Sequence, residues 1–133
     1  KSDRLNKRIK NLSQFESFYN SDEYCEENDP ISSINAYDFN SLYKAKPNKI
    51  LLIDVRENEE FSASAIEGSI SIPLSHLNQE SDLKFIQKES LNKEVFTICK
   101  SGKRSEKASR ILSQFKIQSR SIEGGIEKVK KIL

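Results

Sequence analysis

The stretch 49–55, which reads K-I-L-L-I-D-V, constrains the fold more than any other part of the sequence. Four consecutive apolar residues lie between Pro47-Asn48 and a run of charged residues. A strand with one face in water would alternate polar and apolar residues, so this pattern predicts a strand that is buried on both faces. Strands of that kind are typical of parallel sheets covered by helices, and a second short apolar run at 95–98 has the same character.

Residues with helical spacing separate the apolar runs. The sequence predicts strands at 31–34, 49–55, 68–73, 95–98 and 117–122. It predicts helices after an N-cap at Asn35, at 57–61, at 83–91, after the Cys99 loop and after the Gly124-Gly125 turn. Leu83, Ile86 and Leu91 are the predicted inward positions of the third helix. Strands that alternate with helices over 133 residues predict an α/β fold with one open, mostly parallel sheet flanked by helices on both faces.

The N-terminal part has a different pattern. Apolar residues at three- and four-residue spacings in 1–20 predict an amphipathic helix, and 22–29 carries five acidic residues around Cys25 before Pro30. We therefore divide the chain into a helical arm and linker at 1–30 and a main domain at 31–133. The first residue is Lys rather than Met, which indicates a part of a longer protein.

Composition narrows the function classes. The 22 Lys and Arg nearly balance the 20 Asp and Glu, so charge repulsion does not indicate disorder. We interpret the basic start of the 1–20 helix as a solvated face, the alternative being contact with nucleic acid or anionic lipid, and expect no nucleic-acid partner. No apolar run approaches the roughly 20 residues of a membrane span and no signal peptide opens the chain, so we expect a cytoplasmic protein without a membrane partner. With two cysteines and the single His76, no four-ligand zinc site is expected. We interpret His76 as a surface or helix-capping residue and Cys25 as structural.

Cys99 stands where the 95–98 strand passes into a helix. Ligands bind at this edge of an open α/β sheet, where helix N-termini face the crevice. A helix N-terminus and nearby cations both favour a thiolate, and the loop supplies Lys100, Lys103 and Arg104. Gly102 allows the backbone to curl into an anion-binding nest. The alternative is that Cys99 is a small buried apolar residue in an ordinary strand-to-helix turn.

Five motifs recur in an order that resembles the rhodanese family of sulfurtransferases, over about 31–133. They are Leu52-Ile53-Asp54-Val55-Arg56-Glu57, Glu60-Phe61, Ile66-Glu67-Gly68-Ser69 with Ile72-Pro73-Leu74, Cys99-Lys100-Ser101-Gly102-Lys103-Arg104-Ser105, and Glu123-Gly124-Gly125-Ile126. The resemblance implies a rhodanese-like fold in the main domain.

The resemblance also implies a site and a reaction. Cys99 would be the nucleophile, and the loop that follows it would bind the substrate through Lys100, Ser101, Gly102, Lys103, Arg104 and Ser105. The thiolate would take a sulfane sulfur from an anionic donor such as thiosulfate, and the persulfide would pass it to a thiol, cyanide or a protein, with no separate cofactor. We expect Asp54 to support the loop by pairing with Arg104 or Arg56, the alternative being a charge that only marks the end of the strand.

The resemblance also implies a pathway, and two alternative functions stay open. The chain is similar to the C-terminal rhodanese domain of two-part proteins that join it to a MoeB/ThiF-type adenylyltransferase. That similarity implies a ubiquitin-like sulfur carrier as acceptor, in molybdopterin, thiamine or thiolated-tRNA synthesis. The first alternative is a rhodanese-like binding or regulatory module in which Cys99 is idle. The second is a phosphatase of the same fold, but that loop needs five residues between Cys and Arg, and four separate Cys99 from Arg104.

Overall fold

The computed structural model describes residues 32–132. The strands are β1 (Ser33–Ile34), β2 (Ile50–Asp54), β3 (Ile70–Ser71), β4 (Glu94–Ile98) and β5 (Ser119–Ile122). The helices are α1 (Ala36–Ala45), α2 (Asn58–Ala63), α3 (Glu80–Glu89), α4 (Lys103–Gln114) and α5 (Gly125–Ile132), with short 3-10 turns at Pro47–Lys49 and Leu74–His76. The predicted arm at 1–30, with Cys25, lies outside the described residues.

All five strands form one parallel sheet in the order β1-β5-β4-β2-β3. The two apolar runs are neighbours at its centre, where β2 and β4 pair over five residues each, from Ile50 opposite Glu94 to Asp54 opposite Ile98. The central position explains the missing polar alternation, because helices cover both faces of these strands. The predicted α/β fold with a parallel sheet is confirmed.

The core has two parts, one on each face of the sheet. The face covered by α3 and α4 buries Leu51, Ile53, Val95, Ile86 and Leu112 among others. On the other face α1 and α5 pack over the sheet with Phe39, Leu52, Phe96, Ile122 and Val129. The rings of Phe39 and Phe96 meet edge to face with centroids 5.3 Å apart.

Most local signals act as predicted. The Asn35 side chain accepts a hydrogen bond from the Asp38 amide at 2.8 Å and caps α1. The structure adds a feature that was not predicted, a reciprocal capping box of Glu57 and Glu60 at the start of α2. His76 is exposed in a 3-10 turn, as expected of a surface residue.

The third helix is shifted toward the N-terminus relative to the prediction. It begins at Glu80 and ends at Glu89, and Leu83 and Ile86 are buried as predicted. Leu91 was expected to face the core and is 81% exposed. The chain leaves the helix in a tight turn, in which the Leu91 amide bonds the Lys88 carbonyl, and this turn carries the leucine away from the sheet. No helix among residues 32–132 has the length and apolar character needed to cross a bilayer.

Candidate active site

Cys99 follows directly on β4, at the carboxyl end of the sheet. Its side chain is 1% exposed and contacts the apolar cluster under α4. The backbone amide of Gly102 donates a hydrogen bond to Sγ at 3.0 Å. The Ser105 hydroxyl lies 3.6 Å from Sγ and accepts from the thiol. The sulfur is therefore buried, yet it faces one amide and one hydroxyl as well as aliphatic side chains.

Gly102 allows the loop to close on the sulfur. Its φ is +113°, a conformation that side chains with a Cβ rarely adopt, and it forms the N-cap of α4. Because α4 begins at Lys103, the amides of its first turn have no acceptor within the helix. These donors give the loop the positive potential that an anionic sulfur requires.

The first residues of α5 form hydrogen bonds with the backbone of the Cys99 loop. The Ile126 amide donates to the Cys99 carbonyl at 2.7 Å, and the Glu127 amide lies 3.5 Å from the Lys100 carbonyl. The peptide bonds are trans, so these two carbonyls point toward α5 while the N–H groups of the same peptide units point away from it. Packing of α5 thus orients the amides of the loop.

The double glycine makes this close approach possible. A Cβ on Gly125 would lie 2.3 Å from the Lys100 carbonyl oxygen and 2.5 Å from that of Cys99. Gly125 also has a φ of +64°. A side chain at this position would separate α5 from the loop.

The Arg104 side chain forms an ion pair with a carboxylate next to the Cys99 loop. Its Nη1 and Nη2 atoms donate to the two carboxylate oxygens of Glu60 at 2.8 and 3.1 Å. The hydrogen bond from Arg104 is the main cause that lowers the pKa of Glu60 to about 2. The same bond raises the pKa of Arg104, with a smaller contribution from the nearby Cys99 sulfur. The pair joins α2 to the first turn of α4.

Asp54 pairs with Arg56, one of its two expected partners. The Arg56 Nη2 atom lies 2.8 Å from Asp54 Oδ2, and both side chains are buried. Arg56 also donates to the Ser64 carbonyl, which ties the end of β2 to the segment after α2. The Val55 amide bonds the Ile98 carbonyl at 2.9 Å, so this pair lies next to the strand end that carries Cys99.

The structure brings the candidate residues together at one end of the sheet. Gly102 and Ser105 contact the sulfur, and Lys100, Ser101 and Lys103 are exposed around it. Among residues 32–132, no group of three or more histidine, cysteine or acidic side chains is placed to hold a metal ion.

Three supporting residues were missed by the sequence reasoning. Glu60 and Gly125 lie within motifs that were noticed, but their contacts with the Cys99 loop join positions far apart in the chain. Ser121 on β5 bonds the Ser105 hydroxyl at 2.7 Å, and only its inward position on a strand could have indicated it.

Comparison with known proteins identifies relatives of this chain in both sequence and fold. The family model described as "Rhodanese-like domain" matches residues 36–132. Over 108 residues the chain is 32% identical to the thiosulfate:glutathione sulfurtransferase of Saccharomyces cerevisiae, covering 71% of this chain and 76% of that protein. Over 102 residues it is 32% identical to the adenylyltransferase and sulfurtransferase MOCS3 of Drosophila virilis, covering 74% of this chain but only 22% of that longer protein.

Among solved structures, a rhodanese-related protein of Thermoplasma volcanium is 34% identical with a TM-score of 0.63, covering 76% of this chain and 92% of that one. The family model spans most of the described residues and includes Cys99, its loop and the strand ends around it. The chain therefore belongs to the rhodanese-like domain family.

Proposed function

We propose that this domain is a sulfurtransferase that carries sulfane sulfur as a persulfide on Cys99. The observation that carries the proposal is the hydrogen bond from the Gly102 amide to Sγ, at the start of a helix whose first amides lack helical acceptors. A cysteine that served only to fill the core would need no such donor. The sulfurtransferase names of the relatives support the same reaction class.

The proposed reaction has two displacement steps. The Cys99 thiolate attacks the sulfane sulfur of a donor such as thiosulfate; a new S–S bond forms, the S–S bond of the donor breaks, and sulfite leaves with the electron pair. A nucleophilic acceptor then attacks the outer sulfur, and Cys99 leaves as a thiolate. No net oxidation of the protein occurs, so the covalent persulfide needs no added cofactor.

The charges of the loop suit an anionic donor. Lys100 and Lys103 are exposed beside the sulfur, whereas the Nη atoms of Arg104 are engaged by Glu60. The two lysines would therefore raise the local concentration of donor, and the backbone amides would stabilise the outer sulfur once it is transferred.

We also propose the sulfur acceptor, the pathway and the cellular location. A thiol, cyanide or a protein nucleophile fits the second step. The resemblance to the domain fused with an adenylyltransferase favours a ubiquitin-like sulfur carrier as the protein acceptor, in molybdopterin, thiamine or thiolated-tRNA synthesis. A cytoplasmic location would keep the thiol reduced between turnovers.

One observation favours a second candidate, a rhodanese-like module that only binds a partner. The Cys99 side chain is almost fully buried against aliphatic residues, which a non-catalytic cysteine would tolerate well. The two candidates differ in whether Cys99 can be loaded with sulfur.

Mass spectrometry of the intact protein after incubation with thiosulfate tests the proposal. We expect a gain of one sulfur atom, located on the peptide that contains Cys99 and removed by cyanide as thiocyanate. The Cys99→Ser variant should gain nothing, whereas Cys25→Ser should load normally. A folded wild-type protein that gains no sulfur from thiosulfate, or from a polysulfide as a more reactive donor, contradicts the proposal and favours the binding module.

A further inference from the structure

Two buried hydroxyls lie between the Cys99 sulfur and β5. The Ser105 Oγ atom is 2.9 Å from the Gly102 carbonyl oxygen, 2.7 Å from Ser121 Oγ and 3.6 Å from Cys99 Sγ. Ser105 and Ser121 are both essentially inaccessible to solvent. A hydroxyl has one proton and two lone pairs, so these three contacts use all of its bonding capacity.

The direction of each bond follows from the proton count. A carbonyl can only accept, so Ser105 donates its one proton to the Gly102 carbonyl. Ser121 must then be the donor in its bond with Ser105. The remaining lone pair of Ser105 is then left to accept from the Cys99 thiol, whose sulfur is 3.6 Å away.

Loss of the thiol proton changes this arrangement at little cost. The Gly102 carbonyl also accepts from the Glu106 amide at 3.1 Å, so it remains bonded if the Ser105 proton turns away. Ser105 can then donate to the sulfur anion as a second donor beside the Gly102 amide. The bond from Ser121 persists and polarises the Ser105 hydroxyl, which strengthens its donation.

We propose that Ser121 is a positioning residue that acts through Ser105 to stabilise the anionic sulfur of Cys99, both as attacking group and as leaving group. The proposal deepens the proposed sulfurtransferase function and rests on it for its biological meaning. Ser121 does not contact the sulfur itself, so its effect is confined to the number and strength of hydrogen bonds that Ser105 can give.

A neighbouring set of hydroxyls provides a matched control. Ser109 on α4 is also buried and lies 2.9 Å from both Thr97 Oγ1 and Ser119 Oγ. Thr97 in turn donates to the Ser105 carbonyl, not to its hydroxyl. The Ser109→Ala substitution thus removes a buried hydroxyl from the same interface without altering the bonds of Ser105 Oγ.

The charged groups around the sulfur are the same in all these variants. They are Lys100 and Lys103 on the loop and α4, the Glu60–Arg104 pair between α2 and α4, and the Asp54–Arg56 pair at the end of β2. A difference between the variants therefore reports on the hydroxyl network and not on a changed electrostatic field.

The experiment follows alkylation of Cys99 by iodoacetamide across pH, read by mass spectrometry on the peptide that contains Cys99. We expect Ser121→Ala to move the midpoint of the alkylation profile upward by about half a pH unit or more. At a given pH below the midpoint, this shift makes the reactive fraction of Cys99 about threefold smaller than in the wild type. Ser109→Ala should keep the wild-type midpoint. Equal midpoints for Ser121→Ala and Ser109→Ala would overturn the proposal.

A second pair of variants protects the test against misfolding. Ser121→Thr keeps a hydroxyl and Ser121→Val carries a methyl group in its place, and both variants are β-branched and add one heavy atom to serine, so they share the steric effect of the substitution. The proposal requires the lower midpoint for Ser121→Thr, and equal midpoints would contradict it. Alkylation needs no sulfur donor, so a failure to load thiosulfate would count against the proposed function alone.

Discussion

Lys103 is the first residue of α4 and one of two exposed lysines beside the buried sulfur. Its charge is placed to attract a donor, whereas the sulfur itself is bonded by Gly102 and Ser105. Under the proposed function, capture of the donor and stabilisation of the persulfide would therefore depend on different residues, and a substitution can separate them.

The Lys103→Ala substitution should raise the KM for thiosulfate about threefold and leave the yield of persulfide at saturating donor unchanged. An exposed charge contributes about 0.2–1 kcal/mol, which corresponds to that change. Steady-state kinetics and mass spectrometry give the two quantities. The difference from wild type should shrink in high salt, and Lys88→Ala, at an exposed position on α3, serves as the control. An unchanged KM with a reduced yield would show that Lys103 acts on the persulfide instead.

Gly125 is a second residue with a local and specific role. An added Cβ would meet backbone atoms of Cys99 and Lys100, which cannot move without opening the loop. At Gly124 the added Cβ would meet the Cβ, Cγ and Cδ atoms of the Lys128 side chain on α5, and not the backbone of the loop. Both glycines have positive φ, so the two positions share the conformational penalty and differ in the contact.

We expect Gly125→Ala to lower the free energy of unfolding by about 2 kcal/mol or more, and Gly124→Ala by about 1 kcal/mol. Urea unfolding measures both. Only Gly125→Ala should also reduce sulfur loading, because it displaces α5 from the loop. Equal losses of stability and loading in the two variants would contradict this account of the loop.

At the level of elements, the sequence was most informative about β2 and β4. Their apolar runs predict burial on both faces, and in a parallel sheet that places them at the centre, where they are found. The end of α3 was less well predicted, because the turn that exposes Leu91 depends on local hydrogen bonds that the apolar spacing does not report. Asp54 was a predicted candidate to pair with Arg104 but pairs with Arg56, and Glu60 was not predicted as the partner of Arg104 because it lies 44 residues earlier in the chain.

The ion pair of Glu60 and Arg104 connects α2 to α4. The pKa of Glu60 falls from 4.5 to about 2 on folding, so its contribution to stability is fully present above about pH 4.5 and disappears as the pH falls through about 2. The pair is about one-third exposed, so solvent weakens the interaction. The ion pair therefore makes a modest contribution to stability, and this contribution depends on pH.

The Glu60→Gln substitution should reduce stability by about 1 kcal/mol at pH 7, and the difference from wild type should vanish near pH 2. Urea titrations at pH 7, 4, 3 and 2 follow the change. Glu59→Gln, on the exposed side of the same helix turn, controls for the effect of the helix dipole. A constant difference between wild type and Glu60→Gln at every pH would exclude the ion pair as its cause.

On the scale of the whole molecule, β4 anchors the site to both halves of the core. Phe96 points to the α1 and α5 face and contacts Phe39, while Val95 and Cys99 belong to the opposite face. The same strand thus fixes the position of the sulfur through packing that lies on either side of it. The strand prediction implies that successive side chains of 95–99 face opposite sides of the sheet, but the aromatic contact depends on how α1 docks.

Removal of the Phe96 side chain should therefore affect the whole fold. The residue is fully buried, and Phe96→Ala should cost about 3–5 kcal/mol, a large share of the about 5–15 kcal/mol that stabilises a typical domain. Phe85→Ala removes the same ring from α3, where it is 40% exposed, and should cost far less. Thermal unfolding measures the two losses.

Because Phe96 does not touch the sulfur, the folded fraction of Phe96→Ala at low temperature should still load sulfur from thiosulfate. If the two variants lost equal stability, the packing of β4 between two core halves would not be what holds Cys99 in place.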